Sequence, residues 1–187
     1  NITGTKYGEE LVFKTYNSDA IQDIEGNYYN IVAIGNQVWM AENLRYLPSV
    51  NQPHEGSITD LLYYVNGYNG TDTYEARTSV NFATYGALYN LPAALNSCPA
   101  GWHLPSDLEW TVLADYLGGE LVAGGSLKES GIWHWLEPNT GATNFTGFTA
   151  LPGGLRLVDG TFNTIMGYDC YFWSSTEILS YTNWGRK

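Results

Sequence analysis

The clearest hydrophobic pattern in the chain has helical spacing and follows Ser106. Apolar residues there recur at intervals of three and four and so fall on one face of a helix: Trp110, Leu113, Ala114 and Leu117. Ser106 and Glu109 have the spacing of a capping box, in which each side chain bonds the backbone N–H of the other residue. Gly118-Gly119 then supplies a C-terminal stop. The pattern predicts an amphipathic helix over 107–117.

Two pairs of β-prone runs surround two-residue turn signals. Glycine accepts the positive φ that tight hairpin turns require, and asparagine and aspartate tolerate it. The sequence therefore predicts two β-hairpins. They pair 28–34 with 37–41 around Gly35-Asn36, and 155–158 with 161–165 around Asp159-Gly160.

Weaker signals complete the secondary structure. A short helix is expected at 92–97, because proline is tolerated in a first helical turn. The polar, turn-rich stretches 48–84 and 118–147 are expected to be loops. Short extended segments are expected at 11–15, 61–65 and 171–175.

Helices grouped in the middle of the chain, with antiparallel strands elsewhere, indicate an α+β fold. One domain suffices for 187 residues. We expect that domain at 21–187, after a leader or linker at 1–20.

The amino-acid composition argues against some classes of binding partner. Hydrophobic residues make up 44% of the chain, which is enough for a packed core. The formal net charge of −11 argues against nucleic acid or an anionic membrane surface as a partner. No apolar run reaches the roughly 18–20 residues that a membrane-spanning helix needs. The 15 Tyr and 7 Trp suit either the stacking of rings on sugar faces or the filling of a β-rich core.

The segment from Cys98 to Trp110 reads Cys-Pro-Ala-Gly-Trp-His-Leu-Pro-Ser-Asp-Leu-Glu-Trp. It resembles the Fibrobacter succinogenes major paralogous domain, a family of bacterial surface domains. Further motifs of this family occur in the same order at 34–44, 85–90, 138–144, 147–154 and 173–177.

The resemblance implies a C-type-lectin-like fold, with two short helices packed on antiparallel strands and hairpins. It also implies a secreted protein or an outer-membrane lipoprotein. It implies no known activity, because the family as a whole lacks one. The family's closing C-terminal strand, which carries a cysteine, is expected to be absent from this chain.

The two cysteines leave alternatives open. In the families that this chain resembles, the cysteine at the end of the first helix pairs with one in the last strand. Here Cys98 has that first position, and Cys170 is the only other cysteine. Either a Cys98–Cys170 disulfide replaces the usual bond in an oxidising compartment, or both residues are free thiols.

Glu137-Pro138-Asn139 is the tripeptide that binds mannose-type sugars in calcium-dependent lectins. There a cis proline presents the Glu and Asn oxygens to Ca²⁺, which in turn holds sugar hydroxyls. Calcium takes about six to eight oxygen ligands, and the Trp-Asn-Asp run that completes the lectin site does not occur here. A calcium site at Glu137 and Asn139 and a metal-free turn both remain open.

Aromatic side chains are the other candidates for ligand contact. Trp133 and Trp135 alternate in a Gly-bounded loop and are expected to share one exposed face. Tyr171 and Trp173 are further stacking candidates, with Trp173 expected in the core. We therefore expect ligand binding by Trp133, Trp135, Glu137 and Asn139.

Enzyme classes find little support. Formylglycine-generating enzymes share the Leu-Pro-Ser-x-x-Glu-Trp element, but their oxidase chemistry uses copper-binding cysteines near the C-terminal end, and neither cysteine here has the required neighbours. The three histidines are scattered, and no Gly-x-Ser-x-Gly occurs. We expect a non-catalytic domain that binds a glycan or extracellular polymer. A structural, fimbria-like module that binds another surface protein is the alternative, and a degenerate oxidase relative is a remote one.

Overall fold

A computed structural model describes residues 20–162, 166–179 and 182–187. The predicted strand at 11–15 lies outside the described residues. The strands are β1 (Ile21–Gln22), β2 (Tyr28–Tyr29), β3 (Ile31–Ile34), β4 (Gln37–Met40), β5 (Tyr63–Tyr64), β6 (Leu88–Tyr89), β7 (Phe172–Leu179) and β8 (Thr182–Arg186). The helices are α1 (Thr73–Thr78), α2 (Val80–Tyr85), α3 (Leu91–Asn96), α4 (Asp107–Tyr116) and α5 (Glu120–Leu127).

Helix α4 forms where the periodic pattern predicts it. The Ser106 hydroxyl accepts from the N–H of Glu109 at 3.3 Å, and the Glu109 carboxylate accepts from the N–H of Ser106 at 2.7 Å, so both halves of the capping box are present. Gly118 and Gly119 have φ near +100°, which ends the helix. Trp110 and Leu113 are buried, as the amphipathic pattern requires.

The described strands form two-stranded antiparallel sheets. The predicted hairpin around Gly35 is confirmed as β3–β4, in which Ile31 lies opposite Met40. The other pairs are β1–β2, β5–β6 and β7–β8. The second predicted hairpin is reduced to a bridge between Arg156 and Phe162, and 163–165 lie outside the described residues.

Three helices form in regions that the sequence predicts as loops. Asp72 caps α1 and Ser79 caps α2 through side-chain oxygens, in the middle of the polar stretch 48–84. Helix α5 contains Gly124-Gly125, and a side chain at Gly125 would collide with the backbone of Gly141. The helix therefore packs so closely on a loop that glycine is required. The expectation of two helices is wrong, because five form among the described residues.

The buried carboxylate of Asp23 holds the β1–β2 turn together. It accepts from the N–H groups of Glu25 and Asn27 and from the Tyr29 hydroxyl. Burial alone raises the pKa of Asp23, but the hydrogen bonds from Tyr29 and Asn27 outweigh it and lower the pKa overall. The charge is thereby accommodated inside the fold.

Two clusters form the core. Three partly buried tyrosines pack against the first, which includes residues of α1, α2 and β5: Leu47, Val50, Tyr63, Val65, Ala76, Phe82, Ala87 and Ala93. The second, which we call the indole core, joins β3–β4 to α4: Ile34, Trp39, Trp110, Leu113, Phe148 and Ala150. Phe172 of β7 packs on the indole core, with its ring 5.4 Å from that of Trp110.

The architecture is therefore mixed α+β, with small antiparallel sheets around the two clusters. None of the helices in the described ranges is long and apolar enough to span a membrane.

Candidate functional site

The loop at 129–140 does not present the two predicted tryptophans on one face. Trp133 is 88% exposed, whereas Trp135 is only 5% exposed. The indole N–H of Trp135 donates to the carbonyl of Ala150 at 3.0 Å, and Lys128 lies over its ring. The expectation of a shared exposed face is wrong, because the loop folds back on Ala150 instead of continuing as an extended strand.

The side chains of Glu137 and Asn139 have different surroundings. Glu137 is exposed. The side-chain N–H₂ of Asn139 donates to the carbonyls of Glu129 and Gly131, at 2.9 and 2.8 Å, which fixes the loop. The Oδ1 of Asn139 has no partner, but it is shielded from solvent.

One shielded amide oxygen falls far short of the six to eight oxygens that calcium takes. Glu129, the carboxylate held beside this loop, is bound by His134, whose Nδ1 lies 2.9 Å from both of its oxygens. Among the described residues, no group of three or more His, Cys, Asp and Glu side chains could hold a metal ion. The Glu137-Pro138 bond is cis. We derive no calcium chemistry for this site.

The described cysteines are both free. Cys98 lies just after α3, with its sulfur 3.9 Å from the Ala94 carbonyl. The backbone of Cys170 forms an isolated parallel β-bridge with the backbone of Gly154. Burial raises the pKa of both thiols, and that of Cys170 rises to about 11. Of the two alternatives that the sequence leaves open, two free thiols describe this structure.

A groove of about 810 Å³, which we call the aromatic groove, lies in another part of the molecule. Five aromatic side chains line it from three separate parts of the chain: Tyr64, Tyr89, Tyr171, Phe172 and Trp173. The rim also carries Ser57, Thr59, Asn96 and Arg156.

Strand alternation places two of these rings side by side. Tyr171 directly precedes β7, and Trp173 is two residues further on, so both side chains point to the same side. The intervening Phe172 packs on Trp110 and Phe148 in the indole core. Tyr171 and Trp173 are 40% and 38% exposed, so the expectation that Trp173 is a core residue is wrong.

Trp173 is hydrogen-bonded through both its side chain and its backbone. Its indole N–H donates to the carbonyl of Tyr89 at 2.8 Å, and its own carbonyl accepts from the indole N–H of Trp110 at 3.3 Å. Arg156 is fixed as well, because it donates to the carbonyls of Pro53 and Glu55 and lies over the Tyr64 ring. Both side chains are therefore held by contacts within the fold.

A second concavity of about 500 Å³, which we call the apolar cleft, lies between β4 and the segment 98–105. Trp39, Trp102, Leu104 and Phe148 are among its walls. The sequence signals for both concavities are weak, because each collects residues from segments that are distant in the chain.

These features define a mixed α+β domain in which aromatic side chains line both the groove and the cleft. The family model of the Fibrobacter succinogenes major domain matches residues 32–187, and the chain belongs to this family. No curated protein and no solved structure matches the chain.

Proposed function

We propose that this chain is a non-catalytic, secreted or cell-surface domain of C-type-lectin-like fold that binds a neutral glycan or polymer in the aromatic groove. The observation that carries this proposal is the pair of half-exposed rings, Tyr171 and Trp173, which line the groove at the start of β7. An experimental structure that superposes on a C-type lectin core would support the fold, and one that does not would contradict it.

Flat aromatic faces suit pyranose rings, since the apolar C–H face of a sugar packs on the ring while its hydroxyls remain free to bond polar groups. The groove supplies such groups at its rim, including the hydroxyl of Thr59 and the amide of Asn96. A volume of about 810 Å³ is within the range of sites that hold a ligand of a few rings.

The charge of the chain indicates which glycans are favoured. At a net charge of −11, polyanionic chains such as sulfated or uronate-rich polymers are repelled. Arg156 keeps its positive charge, but two of its N–H groups already donate to backbone carbonyls, so fewer donors are left for an anionic ligand. Neutral glycans are therefore the preferred class.

A glycan array tests the proposal, with calcium and again with a chelator. We expect binding to neutral glycans that survives the chelator. Tyr171→Ala is expected to weaken it about three- to tenfold, the size of one lost aromatic contact. Trp133→Ala is the matched control, because that side chain is more exposed still but lies outside the groove.

Three outcomes would contradict the proposal. Binding that is lost in Trp133→Ala and kept in Tyr171→Ala would place the site on the 129–140 loop. Binding that is lost with the chelator would restore Glu137 and Asn139 as calcium ligands. An array without binding in either buffer would remove the glycan as ligand.

The second candidate is a structural module that binds another surface protein. Its support is an apolar exposed surface on the segment 131–145, where Ile132, Trp133 and Phe145 are all largely in solvent. If this surface associates with copies of itself, sedimentation velocity should show concentration-dependent growth that Trp133→Ala removes. A monomer at all concentrations would contradict self-association.

A further inference from the structure

The aromatic groove has a second part, in which aliphatic side chains line the wall. Ile58, Leu95 and Val158 line the groove and are 69%, 48% and 100% exposed. Leu91 and Leu155 line it as well. Large aliphatic side chains gathered in one concavity mark an interaction site, because a partner that covers them gains the free energy of removing their surface from water. We call these five residues the aliphatic half of the groove.

Helix α3 supplies one wall of the aliphatic half. Leu91 and Leu95 are four residues apart on α3, so they lie on the same face of the helix, and both line the groove. Asn90, the N-cap of α3, also donates from its side-chain amide to two carbonyls of the segment 57–60, at 2.9 and 2.8 Å. These hydrogen bonds hold the segment that carries Ile58 against the start of α3.

The turn that carries Val158 is fastened to the chain just before Ile58. Arg156 donates to two carbonyls of the segment 53–55, at 2.7 and 2.8 Å. Gly160 packs so closely on the same segment that a side chain there would collide with its backbone. Residues that are about a hundred positions apart in the chain are thereby brought to one end of the groove.

The groove carries little charge of its own. Among the described residues that line it, Arg156 is the only one with a charged side chain. Its guanidinium lies 4.7 Å from the centre of the Tyr64 ring, and two of its N–H groups are bonded to the backbone. The chain as a whole has a net charge of −11, which repels anions. An uncharged, apolar group therefore fits the aliphatic half best.

We propose that the aliphatic half binds an alkyl chain attached to the neutral sugar that Tyr171 and Trp173 contact. The ligand class is then a neutral glycan with an apolar substituent, and this inference rests on the proposed function. Both parts of the groove belong to one concavity of about 810 Å³, so a single ligand can contact both. The chain is one that is exposed to water before binding, because a chain inside a bilayer is already shielded and gains little from the groove.

Three uncharged probes test the inference by equilibrium dialysis, each below the concentration at which it forms micelles. Methyl β-maltoside has a sugar without a long chain, octyl β-maltoside has both, and octyl tetra(ethylene glycol) ether has the chain without the sugar. We expect octyl maltoside to bind at least about tenfold more tightly than either of the other two. If octyl maltoside binds no more tightly than methyl maltoside, the inference is overturned, while glycan binding is unaffected.

Ile58→Ser tests whether the chain lies in the aliphatic half. It is expected to weaken the binding of octyl maltoside about three- to tenfold and to leave that of methyl maltoside unchanged. Leu95→Gln, on α3, should give the same pattern. Ile132→Ser is the matched control, because Ile132 is 60% exposed but lies outside the groove. Octyl maltoside binding that is equal in Ile58→Ser and Ile132→Ser would place the chain elsewhere and overturn the inference.

Tyr171→Ala separates a failure of this inference from a failure of the proposed function. It is expected to weaken both maltosides by the same factor, because the ring contacts the sugar, and to leave the binding of the ether unchanged. If Tyr171→Ala changes neither maltoside and the ether binds as tightly as octyl maltoside, glycan binding in the groove is contradicted, and the inference with it. The loss of the chain-length effect alone contradicts only the inference.

Discussion

The aromatic groove and the apolar cleft use aromatic rings in different ways. In the groove, the indole N–H of Trp173 is bonded to the Tyr89 carbonyl, so the ring offers its face and no free donor. In the cleft, the Trp39 ring is buried and its N–H is unbonded. The comparison teaches that the exposure of an indole face, and not the presence of an indole alone, decides whether the ring can contact a ligand.

The two concavities also share a support. The Trp110 ring packs on Trp39 beneath the cleft, while its N–H donates to the carbonyl of Trp173 beside the groove. The predictions below test how far the two regions depend on this residue and how far they can be separated.

Trp110→Ala should have the largest effect and should damage both regions. Removing a large aromatic side chain from a packed core costs about 3–5 kcal/mol of unfolding free energy. Urea denaturation measures the loss, and Trp133→Ala is the control, expected within about 0.5 kcal/mol of wild type because its side chain lies in solvent. A loss below about 1 kcal/mol for Trp110→Ala would show that the indole core does not support both regions.

The thiols of Cys98 and Cys170 should react with an alkylating reagent at different rates. Because burial raises the pKa of Cys170 to about 11, its thiolate fraction at pH 8 is roughly a hundredfold below that of an ordinary thiol, and alkylation should slow in proportion. Cys98 lines the cleft and should react first. Iodoacetamide labelling, followed by peptide mass analysis, measures both rates.

The chain unfolded in urea without reductant is the control, and both cysteines should then label fully. A pair that does not label after unfolding would reveal a disulfide and contradict the free thiols.

Ser106→Ala should cause the smallest loss of unfolding free energy. Its structural effect should be confined to the rim of the apolar cleft. Losing an N-cap costs about 1 kcal/mol, and urea denaturation at pH 7 measures it. Ser49→Ala, an exposed loop serine, is the matched control and should change nothing. Glycan binding should stay unchanged, because the groove does not contain this cap.

The cost of Ser106→Ala should depend on pH in a defined direction. Burial alone raises the pKa of Glu109, but hydrogen bonds from Ser106 and from His103 outweigh it, and the pKa lies below the ordinary 4.5. A lowered carboxylate pKa stabilises the fold above the unfolded value and ceases to do so as the pH falls through the folded value. The difference between wild type and Ser106→Ala should therefore be full above about pH 4.5 and shrink below it. A difference that is constant down to pH 3 would contradict the role of Glu109.

The elements that the sequence predicts well are those whose signals are local. Helix α4 has its cap, its apolar face and its terminal glycines within fourteen residues, and hairpin β3–β4 has its turn between its strands. The sequence does not predict helices α1, α2 and α5, because their local signals are short or are explained only by distant contacts. The first two are six residues long, and the pair of glycines in α5 is explained only by its packing on Gly141.

The residues of the candidate site also divide into those that a local pattern identifies and those that only the fold distinguishes. Tyr171 and Trp173 can be recognised as stacking candidates, because they alternate along a strand. Nothing local distinguishes Trp133, which lies in solvent, from Trp135, which bonds the Ala150 carbonyl fifteen residues away. The spacing of Trp133 and Trp135 predicts a shared face, but the folded loop buries Trp135 and leaves Trp133 in solvent.

The sequence by itself determined the α+β class, helix α4 with its capping box, hairpin β3–β4 and the motifs of the family. These depend on contacts between residues that are near in the chain, where propensity and spacing act directly. Only the tertiary structure decided which aromatic rings face solvent and which indoles find an acceptor. Those outcomes depend on long-range packing between segments such as 98–105, 148–150 and β7, which no local pattern encodes.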